Sequence, residues 1–275
     1  MKKLMLGLAL SLGSVAVFAQ DGGIDCYNKG VEALNTKDYA TAYQMFNKAL
    51  SNPGDMEIQA DYYYYAAMAA EQSSHFDAAV KYYDKAIKAG SNVSNSTEGK
   101  ARSLVALGKY DEAVAADAAN AGKWAYNAAG TAYKAKDYAN AAKYFEIAEA
   151  KAYKGDTSAS YEYNALVKLG KADEALAKLK SAAAKYPNTK VSEKYASIIY
   201  KDGVKAYKKG ASILTDANNA VNAGTYTTED AAYKTAVSKS AAKMKEAVAI
   251  FEVVLSIDAT NANAKKYMEA CKAAI

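Results

Sequence analysis

The hydrophobic pattern of this chain is a short alanine and aromatic motif that recurs along it. In the first copy Tyr39 lies three positions before a central Ala42, Phe46 lies four positions after it and Ala49 seven positions after it. Spacings of three, four and seven place side chains on one face of an α-helix. The pattern therefore predicts amphipathic helices that bury the same face again and again. Its copies are centred on Ala42, Ala79, Ala113, Ala141, Ala175 and Ala247.

The first five of these centres are 28 to 37 residues apart, which is the period of a helical repeat array. The order aromatic, alanine, aromatic, alanine at these spacings resembles the second helix of a tetratricopeptide repeat. Upstream of each copy lies a stretch that resembles the first helix, with Gly30 at the small helix-contact position of the family. Pro53 and Pro187 stand close to where the family's proline follows the second helix.

This resemblance to the tetratricopeptide repeat family implies an all-α fold. We expect residues 20–275 to form a right-handed α-solenoid of about six tetratricopeptide-like helix pairs, with a C-terminal capping helix over residues 261–275. In such an array each helix pair buries its apolar face only against its neighbours, so no single repeat folds alone.

The third copy departs from the pattern. Asp117 and Asn120 occupy positions where apolar residues are expected, and the step from Ala113 to Ala141 is only 28 residues. The second helix of this repeat is therefore shortened, and we expect an irregular joint near residues 118–123.

The last step, from Ala175 to Ala247, is 72 residues long. Gly203 and Tyr207 fit the first helix of a sixth repeat, so residues 211–243 are interpreted as an insertion between its two helices. Two degenerate repeats are the alternative, but they would need a second alanine and aromatic register, and the segment has none.

Within the insertion, residues 214–228 are polar and rich in Asn, and they contain a glycine. This composition predicts a loop between two overlong helices. Thr228, followed by Glu229 and Asp230, is a suitable start for the second helix because acids are favoured near a helix N-terminus.

The N-terminus has the parts of a secretory signal peptide at residues 1–19. Lys2 and Lys3 precede an apolar run over residues 4–18, and Val17 and Ala19 give a small-residue cleavage site. We expect an exported bacterial protein, periplasmic, outer-membrane-associated or secreted, with no integral membrane segment after signal removal. Cys26 is not expected to carry lipid because Asp25 precedes it, where a lipoprotein signal requires a small residue.

The charge balance gives little support to nucleic acid as a partner. The net charge of +5 falls to +3 without Lys2 and Lys3, which is too small to indicate a nucleic-acid surface. The distribution is uneven, since residues 20–80 carry nine acids and three lysines whereas residues 168–210 carry eleven lysines and four acids. For any single lysine, an exposed solvated position is the simpler interpretation.

No catalytic, metal-binding or cofactor-binding constellation is found in the sequence. His75 is the only histidine and is predicted in a turn, which excludes sites that need several histidines. Glycine-rich phosphate loops are absent as well. Cys26 and Cys271 lie near opposite ends of the array, too far apart for the Cα separation of about 5.5 Å that a disulfide needs, so both are expected to be small buried residues.

Tyrosine is the abundant residue with binding chemistry, at 24 copies. A tyrosine ring is rigid and apolar with one polar tip, which suits recognition of peptides or sugars. Many of these tyrosines fill space between helices, but the resemblance places others on the face of the first helices that lines the family's concave groove. This predicted groove contains Tyr27, Tyr64, Met68, Arg102, Tyr126, Tyr133, Asn164, Lys168, Tyr200, Tyr207 and Lys208.

Family members that clamp a C-terminal carboxylate use Lys-x-x-x-Asn and Lys-x-x-x-Arg pairs. Here the corresponding positions are Tyr27 with Val31 and Glu98 with Arg102, so only Arg102 matches. We therefore expect a non-enzymatic scaffold of the cell envelope, part of an envelope complex, that binds a protein or peptide in a tyrosine-rich groove by another mode. Binding of glycan or peptidoglycan by the same tyrosines is the alternative.

Overall fold

The computed structural model describes residues 22–275, and within them the chain is helical with no strand. The all-α class is therefore confirmed, whereas the predicted signal peptide at residues 1–19 lies outside the described residues. In chain order the helices are α1 Gly23–Asn35, α2 Tyr39–Ser51, α3 Ala60–Gln72, α4 Phe76–Lys88, α5 Val93–Ala106, α6 Tyr110–Ala116, α7 Ala121–Lys134, α8 Tyr138–Ala150, α9 Gly155–Lys168, α10 Ala172–Lys185, α11 Lys190–Asn222, α12 Ala231–Ile257 and α13 Ala262–Ala273.

The chain divides into two compact units, and the boundary between them lies between Ser103 and Leu104, within α5. In the first unit α1 packs on α2 and α3 packs on α4. In the second unit the packed pairs are α7 with α8, α9 with α10 and α11 with α12, and α13 packs on α12. Helix pairs, as predicted from the repeat, are thus the building blocks of both units.

The register deduced from the sequence coincides with the buried core. The six central alanines have no exposed surface, and Phe46 and Phe251, four positions after their alanines, have none either. Alanine is needed where helices approach closely, and an aromatic ring fills the wider space one turn later. The six fully buried central alanines are Ala42, Ala79, Ala113, Ala141, Ala175 and Ala247.

The turns inside the helix pairs share one backbone geometry. Lys37 has a left-handed φ of 62°; its N–H donates to the Leu34 carbonyl at 3.0 Å and the Asp38 N–H donates to the Ala33 carbonyl at 2.8 Å. This is a Schellman motif, which satisfies the last carbonyls of α1. The Asp38 carboxylate then accepts from the Thr41 N–H at 3.1 Å and caps α2. The equivalent left-handed residues of the next turns are Ser74, Gly108, Lys136 and Gly170.

Gly30 and Gly203 are required by close approach to the aromatic residues of the register. A Cβ atom at Gly30 would lie 2.7 Å from the Phe46 ring, and one at Gly203 would lie 2.8 Å from the Phe251 ring. Any side chain at these positions would have to displace a fully buried ring. The small helix-contact position inferred from the sequence is therefore explained by the packing in both units.

The irregular joint predicted near residues 118–123 is confirmed, although it is shorter than expected. Helix α6 has only seven residues, a single 3₁₀ turn follows at Ala118–Asn120, and α7 begins at Ala121. Asp117 ends α6, and its carboxylate accepts from Trp124 Nε1 at 2.9 Å and from Asn120 Nδ2 at 2.9 Å. The polar residues that interrupt the repeat thus bond to each other and to a buried tryptophan.

The prediction of a loop at residues 214–228 is wrong for residues 214–222, which are helical. Helix α11 continues to Asn222, and only residues 223–230 connect it to α12. Although the segment is polar overall, Leu214, Ala217 and Val221 follow one another at the spacings of three and four residues that are typical of a helix. Ala217, the middle residue of this series, is buried. Gly224, with a φ of 71°, ends the first helix, and α12 begins three residues later than Thr228, at Ala231.

Three single residues are placed as predicted. His75 is exposed in the turn before α4, where its ring contacts Tyr43 at 4.3 Å between centroids. Cys26 and Cys271 are both buried, and burial raises the pKa of the Cys271 thiol.

Candidate functional site

Tyr27 is the first of the predicted groove residues and takes part in a packed aromatic group. Its ring stacks on Tyr62 with centroids 3.8 Å apart and lies 5.5 Å from Phe46. Burial, followed by the neighbouring Tyr62 and other ionisable groups, raises the pKa of Tyr27 to about 12. The ring therefore contributes to the core of the first unit and stays protonated.

A cleft of about 540 Å³ in the first unit brings Tyr64, Met68 and Arg102 together. These three predicted residues come from α3 and α5, and the cleft is completed by Glu71 and Tyr83 among others. Residues Tyr64 and Met68 lie one helical turn apart, which is why the sequence register placed them on the same face.

Arg102 is held in this cleft by Glu71, which the sequence analysis did not single out. Arg102 Nε donates to Glu71 Oε1 at 2.7 Å, and Nη2 donates to Oε2 at 3.2 Å. Tyr83 Oη donates to the same carboxylate at 2.6 Å, and burial together with this bond raises the pKa of Tyr83. The Glu71 side chain is only 9% exposed. Because a buried carboxylate needs its donors, the positive charge of the partly exposed Arg102 is already paired with Glu71.

Glu98 adds a second acid at this position, 3.3 Å from Arg102 Nη1. Two carboxylates and one guanidinium leave the cleft of the first unit negative rather than positive. Carboxylate recognition by Arg102, the one match to the family's clamp, is therefore not supported by its surroundings.

The second unit contains a cleft walled by aromatic rings. Tyr126 and Tyr133 of α7, both predicted, face Tyr161 of α9, with Phe145 of α8 between them, around a volume of about 450 Å³. We call this set of four rings the aromatic cleft. Phe145 and Tyr161 are stacked at 5.3 Å, while Tyr126 meets Phe145 edge-on at 5.6 Å. These contacts fix the ring orientations before any ligand arrives.

One wall of the aromatic cleft has no side chain. Gly130 of α7 lines the cleft, and a Cβ atom built there would meet no atom within 4 Å. Glycine in a helix interior costs about 0.5–1 kcal/mol relative to alanine. No close approach explains Gly130, in contrast to Gly30 and Gly203, so its effect is to keep the cleft open.

Tyr161 is the ring that the sequence analysis missed. It lies fourteen residues before Ala175, whereas Tyr27, Tyr64 and Tyr126 lie fifteen before their alanines. Helical side chains lean toward the N-terminus, so a given spot is covered by a residue about one position further along the chain. A tolerance of one residue in the register would have included Tyr161, which is 43% exposed.

Asn164 of α9, another predicted residue, bonds to a lysine of α11. Lys194 Nζ donates to Asn164 Oδ1 at 2.7 Å and contacts Ser160 O and Oγ at 3.2 Å each. Burial among these neutral acceptors lowers the pKa of Lys194. Lys168 is exposed in the last turn of the same helix.

Tyr200 and Tyr207 of α11 contact the capping helix rather than the aromatic cleft. Tyr207 lies 5.1 Å from Tyr267 of α13, and Tyr200 lies 5.9 Å from Phe251 and 6.4 Å from Tyr267. Both tyrosines are half-buried, whereas Lys208 is exposed. The predicted groove residues of the second unit are thus not brought together in one site: Tyr126 and Tyr133 line the aromatic cleft, whereas Tyr200 and Tyr207 pack near α13.

Two further features, a metal-binding group and a membrane-spanning helix, are absent from the described residues. Among residues 22–275 there is no group of three or more His, Cys, Asp or Glu side chains that could bind a metal ion. In the same part of the chain, every helix is too short or too polar to cross a bilayer.

The fold assignment rests on two observations that agree. The alanine and aromatic register read from the sequence is the buried register of the structure, and the elements that carry it are successive helix pairs joined by equivalent turns. This chain has a tetratricopeptide-like fold.

Comparison with solved structures returns TPR repeat proteins, among others, at low similarity. A TPR repeats protein from Bacteroides fragilis is 19% identical, with 92% of this chain and 99% of that chain covered and a TM-score of 0.35. The C-terminal part of a TPR repeat-containing protein from Cytophaga hutchinsonii is 14% identical, with 90% and 88% covered and a TM-score of 0.34. The Rap protein complexed with competence and sporulation factor is 13% identical, with 90% and 76% covered and a TM-score of 0.32. No family model and no curated protein matches the chain.

Proposed function

We propose that this protein is a non-enzymatic interaction module that holds a protein or peptide partner, with the aromatic cleft as its central contact. The observation that carries the proposal is the set of four rings around an open volume of about 450 Å³, which lies within the range of small-ligand and side-chain pockets. An apolar or aromatic side chain of the partner would fill this volume.

The rings suit this role because they are already held in place. Phe145 is 2% exposed and packs on Tyr161, and Lys154 Nζ lies 4.6 Å from the centre of the Tyr126 ring. Side chains that are immobile before binding lose little entropy on binding. The hydroxyl groups of Tyr126, Tyr133 and Tyr161 add polar contacts at the rim of an apolar pocket.

The cell envelope is the compartment we propose for this function. Support comes from the N-terminal sequence, in which two lysines, the apolar run at residues 4–18 and a small-residue cleavage site follow one another. The partner would then be another envelope protein or an exported peptide.

Two substitutions at Gly130 test the aromatic cleft without touching any of its rings. We expect Gly130→Leu to fill the cleft and to lower the affinity for a cleft-binding peptide by about tenfold or more, as loss of a buried anchor does. Gly130→Ala is the matched control, because its single methyl group leaves most of the volume open. Peptides selected by phage display on the wild-type protein would be measured against both variants by calorimetry.

Both Gly130 variants are expected to unfold at a higher temperature than the wild type, since each removes glycine from a helix interior. Melting temperatures at or above that of the wild type would show that a loss of binding in Gly130→Leu is not caused by unfolding. Equal affinity of the two variants for the selected peptides would contradict the proposal.

Glycan binding is the second candidate, favoured by the exposed ring of Tyr161, because exposed aromatic rings also stack on sugar faces. If soluble peptidoglycan fragments bind the wild type and Gly130→Ala but not Gly130→Leu, and no peptide does, the glycan function replaces the peptide function.

A further inference from the structure

Helix α11 carries a row of lysines on one face. Lys201, Lys205 and Lys208 follow one another at spacings of four and three residues, which places them on a single side of the helix. All three are exposed. We call these three residues the lysine face.

The lysine face is not neutralised by the protein. Within residues 22–275 none of its three side chains has an ion pair or hydrogen bond. The nearest acid in sequence, Asp202, is next to Lys201 and three residues before Lys205, but within the described residues it forms an ion pair with neither. Like charges three and four residues apart repel each other and destabilise a helix, so the row of lysines costs stability and no ion pair offsets this cost.

Two other lysines of the second unit are paired with acids. Lys143 of α8 pairs with Asp111 at 2.9 Å, and Lys185 of α10 pairs with Glu149 at 2.7 Å. Lys180 of α10 and Lys239 of α12 are exposed and have no ion pair in the described part of the chain, as in the lysine face, but they stand singly. The lysine face differs because it joins three such lysines on one side of one helix.

The lysine face lies on the side of α11 that contacts α9, the helix that carries Tyr161 of the aromatic cleft. Lys194 is seven residues before Lys201, two turns along one side of α11, and it contacts Ser160 and Asn164 of α9. The path from the aromatic cleft to the lysine face therefore crosses α9.

We propose that the partner is an acidic peptide segment, anchored by an apolar side chain in the aromatic cleft and running along the lysine face. The inference rests on the proposed function and specifies the chemistry of the partner. In an extended peptide, acids at alternating positions are about 6.8 Å apart, close to the rise of about 6 Å between Lys201 and Lys205. Charge complementarity along this path would fix the direction of the bound segment.

A synthetic probe tests the inference directly. The probe is a fluorescein-labelled peptide with one tryptophan followed by four glutamates at alternating positions, and its binding is followed by fluorescence anisotropy at several salt concentrations. We expect the variant Lys201→Gln/Lys205→Gln/Lys208→Gln to bind the probe about tenfold more weakly or worse, with a flatter salt dependence. A probe with glutamine in place of every glutamate should lose binding to the wild type.

The matched control removes the same charge elsewhere. Lys180, Lys239 and Lys245 are exposed on α10 and α12, and their triple glutamine variant should bind within about twofold of the wild type because it leaves the path intact. Equal weakening of both triple variants would overturn the inference, because net charge alone would then explain binding. Displacement of the probe by single-stranded DNA at equal charge concentration would also overturn it, in favour of general polyanion binding, as would failure of the wild type to bind the probe.

The two proposals fail in different ways. If Gly130→Leu abolishes peptide binding while the lysine face variant binds normally, the aromatic cleft is supported and the acidic partner is rejected. If the lysine face variant alone is impaired, an acidic ligand binds without the cleft, and the proposed function is rejected.

Discussion

Replacement of Phe251 by alanine is expected to lower the free energy of unfolding of the second unit by about 3–5 kcal/mol, the usual cost of removing a buried phenylalanine. Phe251 has no exposed surface, and its ring lies between Gly203 of α11 and Tyr267 of α13. The neighbouring glycine cannot fill the cavity, and the stacked Tyr267 ring, at 5.8 Å, loses its partner.

Trp124 reports this effect well, because it is the only tryptophan and lies in the second unit. Urea unfolding followed by its fluorescence should show a lower midpoint for Phe251→Ala. The control Phe251→Leu keeps most of the volume and should cost less than half as much. If Phe251→Ala changes the unfolding free energy by less than about 1 kcal/mol, the register that links α11, α12 and α13 is wrong.

The second large effect is expected at the joint between α6 and α7. Asp117→Ala removes the acceptor of the Trp124 Nε1–H bond, and Trp124 is only 1% exposed. An unpaired buried donor costs about 1–3 kcal/mol. Because the substitution changes the surroundings of the fluorophore itself, unfolding is better followed by circular dichroism here. An unchanged midpoint would show that Asp117 is a surface residue without a structural role.

The same carboxylate gives a pH dependence with a definite sign. Burial acts to raise the pKa of Asp117, but the hydrogen bonds from Trp124 and Asn120 outweigh it, and the pKa is lowered from the usual 3.8. The folded state therefore favours the charged form, so the stabilisation is present above about pH 5 and is lost as the pH falls toward the folded pKa. Asp117→Asn keeps an acceptor oxygen but cannot ionise, and its difference in stability from the wild type should shrink as the pH falls.

The core could be predicted from the sequence because its period is strong. Alanine at a fixed place in every copy indicates a close helix contact, and all six alanines are fully buried. The insertion was harder to interpret, because the polar residues that indicated a loop, such as Asn218 and Asn219, lie on the outer side of a helix whose inner side is small and apolar. Composition alone cannot separate these cases when few large apolar residues are present.

The geometry of the aromatic cleft follows only in part from the sequence. The register puts Tyr126 and Tyr133 on one helix face, but their grouping with Phe145 depends on how α7, α8 and α9 pack. The ion pair between Arg102 and Glu71 likewise joins residues 31 positions apart, and no local spacing in the sequence indicates it. Lys201 and Lys205 give no signal as single residues because a lysine is ordinarily solvated. Their lack of ion pairs within residues 22–275 of the structure, together with Lys208 on the same helix side, is what distinguishes them.

The central claim is that a partner segment lies in the aromatic cleft, and site-specific photocrosslinking tests it most directly. Benzoylphenylalanine would replace the exposed cleft residue Asn127 or, as the control, the exposed Ala139 of α8, outside the cleft. After irradiation in an envelope extract, mass spectrometry identifies the crosslinked peptide. We predict an acidic segment with an apolar residue at the crosslink, captured from position 127 only and lost when Gly130→Leu is added. Capture of the same peptides from positions 127 and 139, or capture from 127 that persists with Gly130→Leu, would contradict the account.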